Sequence, residues 1–230
     1  MGGKCRHSKK IASILESYRT EGQVYLEPFV GGAWVLGKMT GERHASDLNQ
    51  AMITYYKAIQ DGWIPPIILS AEEYLDIKTS NDQTNPITAF AMVGCSFGGK
   101  YADGYAKPTR SSHDYAGAAH RNAIKHAPAI KNATFSHCCY EDHNPNGMLI
   151  YCDPPYANTA AYKGVKAKFD SDNFWNVMRV WSKNNTVIIS EYTAPSDFNV
   201  IAEFDHILSI RSKNGCEPRT EKLFMHRGRT

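Results

Sequence analysis

The segment Leu149-Ile150-Tyr151-Cys152-Asp153-Pro154-Pro155-Tyr156 sets an acid, two prolines and an aromatic ring directly after an apolar run. The run from Met148 to Cys152 follows the turn Pro145-Asn146-Gly147 without polar alternation, which predicts a short buried strand with Asp153 at its carboxyl end. Two consecutive prolines fix φ and remove two N–H donors, so the loop is stiff and presents its carbonyls instead of pairing them in a ladder. Tyr156 adds a stacking face. The group suits chemistry on a flat, amino-bearing base. An exocyclic amine is a poor nucleophile because its lone pair is delocalised into the ring, and the Asp153 carboxylate and Pro154 carbonyl are acceptors for drawing its hydrogens out of plane. Read alone, the tetrapeptide is equally well a rigid turn after a strand.

The elements that must position this loop begin far upstream. Gln23 to Glu27 reads as a strand running into Pro28-Phe29-Val30-Gly31-Gly32-Ala33, with a helix expected from about Ala33 to Met39. Glycines at a strand-to-helix turn allow close approach of a ligand, and a helix amino end offers free N–H groups and partial positive charge. The three-glycine dinucleotide spacing is lacking. His44 to Asp47 reads as the next strand, ending in an acid at roughly the twenty-residue spacing where α/β nucleotide sites set a ribose-binding carboxylate. The other reading of Asp47 is a helix N-cap for Leu48 to Ile59.

With these residues in hand, the chain resembles the Dam-type DNA adenine methyltransferases, which use S-adenosyl-L-methionine to methylate adenine N6. Gly2-Gly3-Lys4 is similar to the family's amino-terminal Gly-Gly-Lys motif, Glu27-Pro28-Phe29-Val30-Gly31-Gly32 to its cofactor loop, and Asp153-Pro154-Pro155-Tyr156 to its catalytic tetrapeptide. Cys95 to Lys100 and Ile189 to Pro195 resemble stretches of small phage-type members. The resemblance implies a Rossmann-like class I methyltransferase fold with a mixed, seven-stranded-type sheet. It further implies direct in-line transfer without a covalent enzyme intermediate, to an adenine flipped out of double-stranded DNA at a cost of a few kcal/mol and stacked on Tyr156. Asp153, Pro154, Pro155 and Tyr156 would be catalytic. Lys4, Glu27, Phe29, Gly31, Gly32, Asp47 and Asp153 would hold the cofactor, Lys4 at its methionine end and Asp47 at its ribose. The chain departs from the pattern at three places. Met1 stands before Gly2 where relatives carry an aromatic residue, and Ala33 replaces a third glycine. Phe135 to Tyr140 lacks an acid for the cofactor's adenine, for which Glu141 or Asp142 is the substitute.

Composition bounds the rest. With 230 residues, 42% hydrophobic and 21% charged, the chain reads as one globular domain with a full core, carrying a target-recognition segment inserted at about 65–135. It has no apolar run of membrane-spanning length and no secretory apolar stretch, so a cytoplasmic location in a bacterial or phage-infected cell, without a membrane partner, is expected. A monomer is expected. The cysteines Cys5, Cys95, Cys138, Cys139, Cys152 and Cys216 include no Cys-x-x-Cys, and we read them as reduced thiols. His137, Cys138, Cys139 and His143 are poor metal ligands, because adjacent residues of a strand project in different directions, and no metal is expected.

A net charge of +3 does not by itself identify a nucleic-acid binder, but its distribution is informative. Lys100, Lys107, Arg110, Arg121, Lys125 and Lys131 outnumber Asp103 and Asp114, and Tyr101, Tyr105 and Tyr115 are interleaved. Lys100, Lys107, Arg110, Arg121 and Lys125 are the candidate DNA contacts; the alternative is a solvated helical face. Lys163 through Lys168 forms a second basic loop. Ile11, Ile14, Leu15 and Tyr18 predict an amphipathic helix preceded by Lys4. Ser70 with Glu73 predicts a capping box, and Phe174, Val177, Met178 and Trp181 a helix after the catalytic loop. Thr186 to Ser190 reads as a strand, and His206 to Ile210 with Lys222 to His226 as a terminal antiparallel pair. Two rival readings remain open: methylation of another acceptor, RNA adenine or a protein amide, and a DNA-binding protein that keeps the fold without catalysis.

Overall fold

The computed structural model describes residues 4–99, 101–107, 114–155, 169–206 and 219–229. Seven strands, β1 (Tyr25–Glu27), β2 (Arg43–Asp47), β3 (Ala133–His137), β4 (Leu149–Cys152), β5 (Thr186–Glu191), β6 (Phe198–His206) and β7 (Arg219–His226), form one sheet in the order β3-β2-β1-β4-β5-β7-β6. The first five are parallel, and β7 runs antiparallel between β5 and β6. This is an α/β fold with a Rossmann-like, mostly parallel sheet.

Residues alternate across the sheet with the period of a strand. Tyr25, Leu149, Tyr151, Ile188 and Leu223 face a core shared with α1 (Lys4–Ser17), α2 (Gln50–Gln60) and α5 (Tyr115–Ile130). Leu26, Ile150, Cys152, Val187, Ile189 and Phe224 face the other way, against α6 (Ser171–Trp181). Phe174, Met178 and Trp181, spaced on one side of α6, are all buried there, and the Asp170 side chain caps the helix by accepting from Asn173 N–H at 3.0 Å. The Ser70–Glu73 capping box forms at the start of α3 (Ala71–Ser80). Between α2 and α5, the segment 65–135 builds a small core of Leu69, Tyr74, Phe90, Ala91, Met92, Cys95 and Ala116, while Ala123 and Ile130 of α5 join the main core.

Four expectations are corrected. The helix expected over Ala33 to Met39 is only a 3-10 turn at Leu36–Lys38, because Gly31 (φ 44°) and Ala33 (φ 54°) take left-handed conformations that helical propagation excludes. Asp47 does not cap α2; Asn49 does, its side chain accepting from Met52 N–H. Lys4 does not precede α1 but is its first described residue. The strand expected at His206 to Ile210 lies earlier, at Phe198–His206, and residues 207–210 fall outside the described ones. A register shift between Val200 and Ala202 explains the miss: Phe198 packs on the α6 side and Phe204 on the α1 side, so one extra residue breaks the two-residue alternation.

Candidate functional site

The chain leaves β1 for β2 and β3 on one side, then crosses back to β4 on the other, so the β1–β4 boundary is the switch point of the sheet. Ligands of open α/β sheets bind outside the carboxyl ends of strands at such points. Glu27 ends β1, and Asp153 follows the last residue of β4. The side chains of Tyr25, Tyr151, Ser190 and Glu221 belong to the α1 side of the sheet, and Lys4 reaches them from the first turn of that helix. Lys4 Nζ lies 3.1 Å from an Asp153 carboxylate oxygen and donates to Glu221 Oε1. Ser190 Oγ donates to the same Glu221 oxygen at 2.9 Å and lies 3.0 Å from the Tyr151 hydroxyl.

Burial of Lys4 acts to lower its pKa, but Asp153 and Glu221 outweigh it and the ammonium is held above its ordinary value. Two carboxylates against one cation leave a negative balance. Glu27 does not add to it at neutral pH: burial, reinforced by the Asp153 charge, pushes its carboxyl up to about 8 against hydrogen bonds from the Tyr25 hydroxyl and the Leu36 backbone. The Tyr25 bond to Glu27 Oε2 is 2.8 Å. Pro154 is buried and Pro155 half-buried beside Asp153. Tyr156 lies outside the described residues.

On the other side of β1, Asp47 ends β2. Its two oxygens accept from Gly31 N–H and Asn49 N–H, each at 2.9 Å, and burial nevertheless raises its pKa. Gly31 also accepts from the Tyr56 hydroxyl at 2.6 Å, so the loop is pinned through its backbone. A Cβ on Gly32 would come within 2.7 Å of the Trp34 indole nitrogen, which explains glycine there. Phe29 packs with Tyr140 at 5.1 Å, Phe174 at 5.8 Å and Phe169 at 6.2 Å between ring centroids, making an aromatic corner at the carboxyl edge. Of the two acids proposed for this corner, Glu141 accepts from the Asn173 amide, while Asp142 closes its own turn by accepting from Cys139 N–H at 2.9 Å. Nearby, His143 Nε2 lies 2.8 Å from Ser46 Oγ and 3.4 Å from Cys138 Sγ, its pKa lowered by burial. Among the described residues, no group of three His, Cys, Asp or Glu is arranged to hold a metal ion.

The structure thus gathers Lys4, Glu27 and Asp153 at the switch point, with Gly31 bound to Asp47 beside it. Of the basic candidates, Lys107, Arg121 and Lys125 are exposed, and Arg121 sits a loose 3.9 Å from Asp114. Lys100, Arg110 and the loop Lys163 to Lys168 lie outside the described residues. Tyr105 donates to Leu69 C=O at 2.8 Å and packs on Tyr74, a role in the small core. Sequence reasoning missed Glu221, Ser190, Tyr151 and Tyr25. The one available signal was a polar residue on the inward parity of each strand, which is visible only once the strands are paired.

No family model and no curated protein matches this chain. Among solved structures, the chain is similar to a candidate RNA methyltransferase from Pyrococcus horikoshii, with a TM-score of 0.43 and 10% identity over 96% of this chain and 81% of that one. No helix among the described residues is long and apolar enough to cross a membrane.

Proposed function

We propose that this chain is an S-adenosyl-L-methionine-dependent methyltransferase acting on the N6 amine of adenine in double-stranded DNA. The observation that carries the reading is Asp153, followed by two prolines, at the sheet's switch point with its carboxylate held 3.1 Å from Lys4. The residues around it fit the cofactor. The negative balance of Asp153 and Glu221 over Lys4 suits a sulfonium, and each Asp47 oxygen that accepts one backbone N–H keeps a lone pair for a ribose hydroxyl. Gly31, Gly32 and Phe29 would line the same crevice. The bound cofactor supplies an electrophilic methyl group.

The chain's own part is to hold the amine. The Asp153 carboxylate and the Pro154 carbonyl accept hydrogen bonds from its two N–H groups, which turns the nitrogen lone pair out of the ring, and the one proton that the methylated nitrogen sheds leaves to water. Geometry of this kind, together with charge preorganised around the amine, is where such sites gain rate. Tyr156 would stack on the extruded base, and Arg121 and Lys125 on the exposed face of α5 would contact phosphates. The test is incubation of methylation-free plasmid DNA with the protein and S-adenosyl-L-methionine, followed by long-read sequencing scored for N6-methyladenine. One recurring modified motif, absent with Asp153→Ala although that variant still binds DNA, is the expected result. Unmodified DNA from a protein that binds the cofactor would overturn the DNA assignment in favour of another acceptor. Absence of cofactor binding as well would leave a DNA-binding protein without catalysis.

A further inference from the structure

Glu221 stands 217 residues from Lys4 and on the far side of β5 from the Asp153 loop, yet its carboxylate meets the Lys4 ammonium. It is only 3% exposed. The contact is built, because Ser190 Oγ donates to the same oxygen at 2.9 Å and is itself 3.0 Å from the Tyr151 hydroxyl. Tyr151, Ser190 and Glu221 come from β4, β5 and β7 in turn, so the polar row crosses three adjacent strands on the α1 side and ends at Lys4. A lysine side chain has many rotamers to lose, so one partner alone would leave Asp153 tethered to a mobile group. A second carboxylate, itself fixed by a rigid strand, removes that freedom.

We propose that Glu221 is a positioning residue: from β7 it clamps Lys4 against Asp153 and so fixes the orientation of the Asp153 carboxylate toward the acceptor amine. The inference rests on the reading of Asp153 as the amine acceptor. The chemistry does not require burial of a third charged group at this depth; the network provides a stationary base for the side chain that must meet a nitrogen within hydrogen-bond distance. A displacement of about 1 Å in such a group costs on the order of 100-fold in rate.

The test is steady-state methylation of plasmid DNA by Glu221→Ala, Glu221→Gln and Ser190→Ala, with thermal melts of each. Glu221→Ala should lower kcat by about 100-fold. Glu221→Gln keeps an acceptor oxygen for Lys4 and Ser190 and should recover most of kcat, a rescue that a purely structural role would show in the melt instead. Ser190→Ala should fall between, at about tenfold. A folded Glu221→Ala with wild-type kcat overturns the proposal; if that variant does not fold, wild-type kcat in Ser190→Ala overturns it. Wild-type protein that methylates no adenine overturns the reading of Asp153 and the positioning role with it, whereas active wild type with indifferent variants overturns only the latter.

Discussion

Glu27→Gln should flatten the pH dependence of stability. The Glu27 carboxyl titrates at 4.5 in an unfolded chain and at about 8 when buried beneath Asp153. A folded-state pKa raised above the unfolded value means that the native state binds the proton more tightly. Between pH 4.5 and about 8 the unfolded state therefore holds fewer protons, and stability falls as pH rises, by about 1.4 kcal/mol per pH unit. Across the whole window the shift of about 3.5 units corresponds to roughly 5 kcal/mol, a large share of the 5–15 kcal/mol that keeps a domain folded. Glutamine reproduces the protonated acid: its carbonyl accepts from the Leu36 backbone and its amide donates to the Tyr25 oxygen. Asp47, also raised by burial, contributes a slope of the same sign to both proteins and cancels in the comparison. Lys4 cancels as well, since its raised pKa lies above the window. Urea unfolding at pH 5, 6, 7 and 7.5 should show the advantage of Glu27→Gln over wild type growing by about 3 kcal/mol from the first pH to the last, the slope easing near each pKa. Parallel stability curves over that range would refute the argument that Glu27 is buried as a neutral acid.

Lys4→Ala removes a cation from the buried Glu221 and from Asp153, whose side chain is 25% exposed, and should cost about 3 kcal/mol at pH 7 by denaturant unfolding, the low end of the buried-pair range, besides weakening cofactor binding in calorimetry. Adding Glu221→Gln should return part of that loss, since the two changes share one network. Replacing both Arg121 and Lys125 by alanine should weaken DNA binding evenly across sequences and reduce the salt slope of log K by about 2, read by fluorescence anisotropy between 50 and 200 mM salt.

Local chemistry was legible in the residues. The strand ending at Asp153, the capping box at Ser70 and the apolar stripe of α6 each depend on φ restriction, one side-chain hydrogen bond or a fixed period, all of which act between residues a few positions apart. Where local cues conflicted, the reading failed for identifiable reasons. Gly31 and Ala33 in left-handed conformations cut the expected helix to a single turn, and the β6 bulge turned Phe198 and Phe204 to opposite faces although their spacing puts them on one. At Ala33 the cues pulled apart, since alanine is the strongest helix former yet stands where a third glycine is expected, and it takes the left-handed conformation with its methyl wholly buried.

By itself, then, the sequence determined the loop after β4, the presence of acids at the ends of β1 and β2, and the alternation that makes the sheet two-sided. The tertiary structure alone decided which charges meet. Lys4 finds Asp153 and Glu221 because β7 enters antiparallel beside β5, and Glu27 becomes a neutral acid because burial on β1, between β2 and β4, removes its water. Strand order and burial are properties of the whole assembled sheet, and a contact between residues 217 positions apart leaves no periodic trace in the chain that makes it.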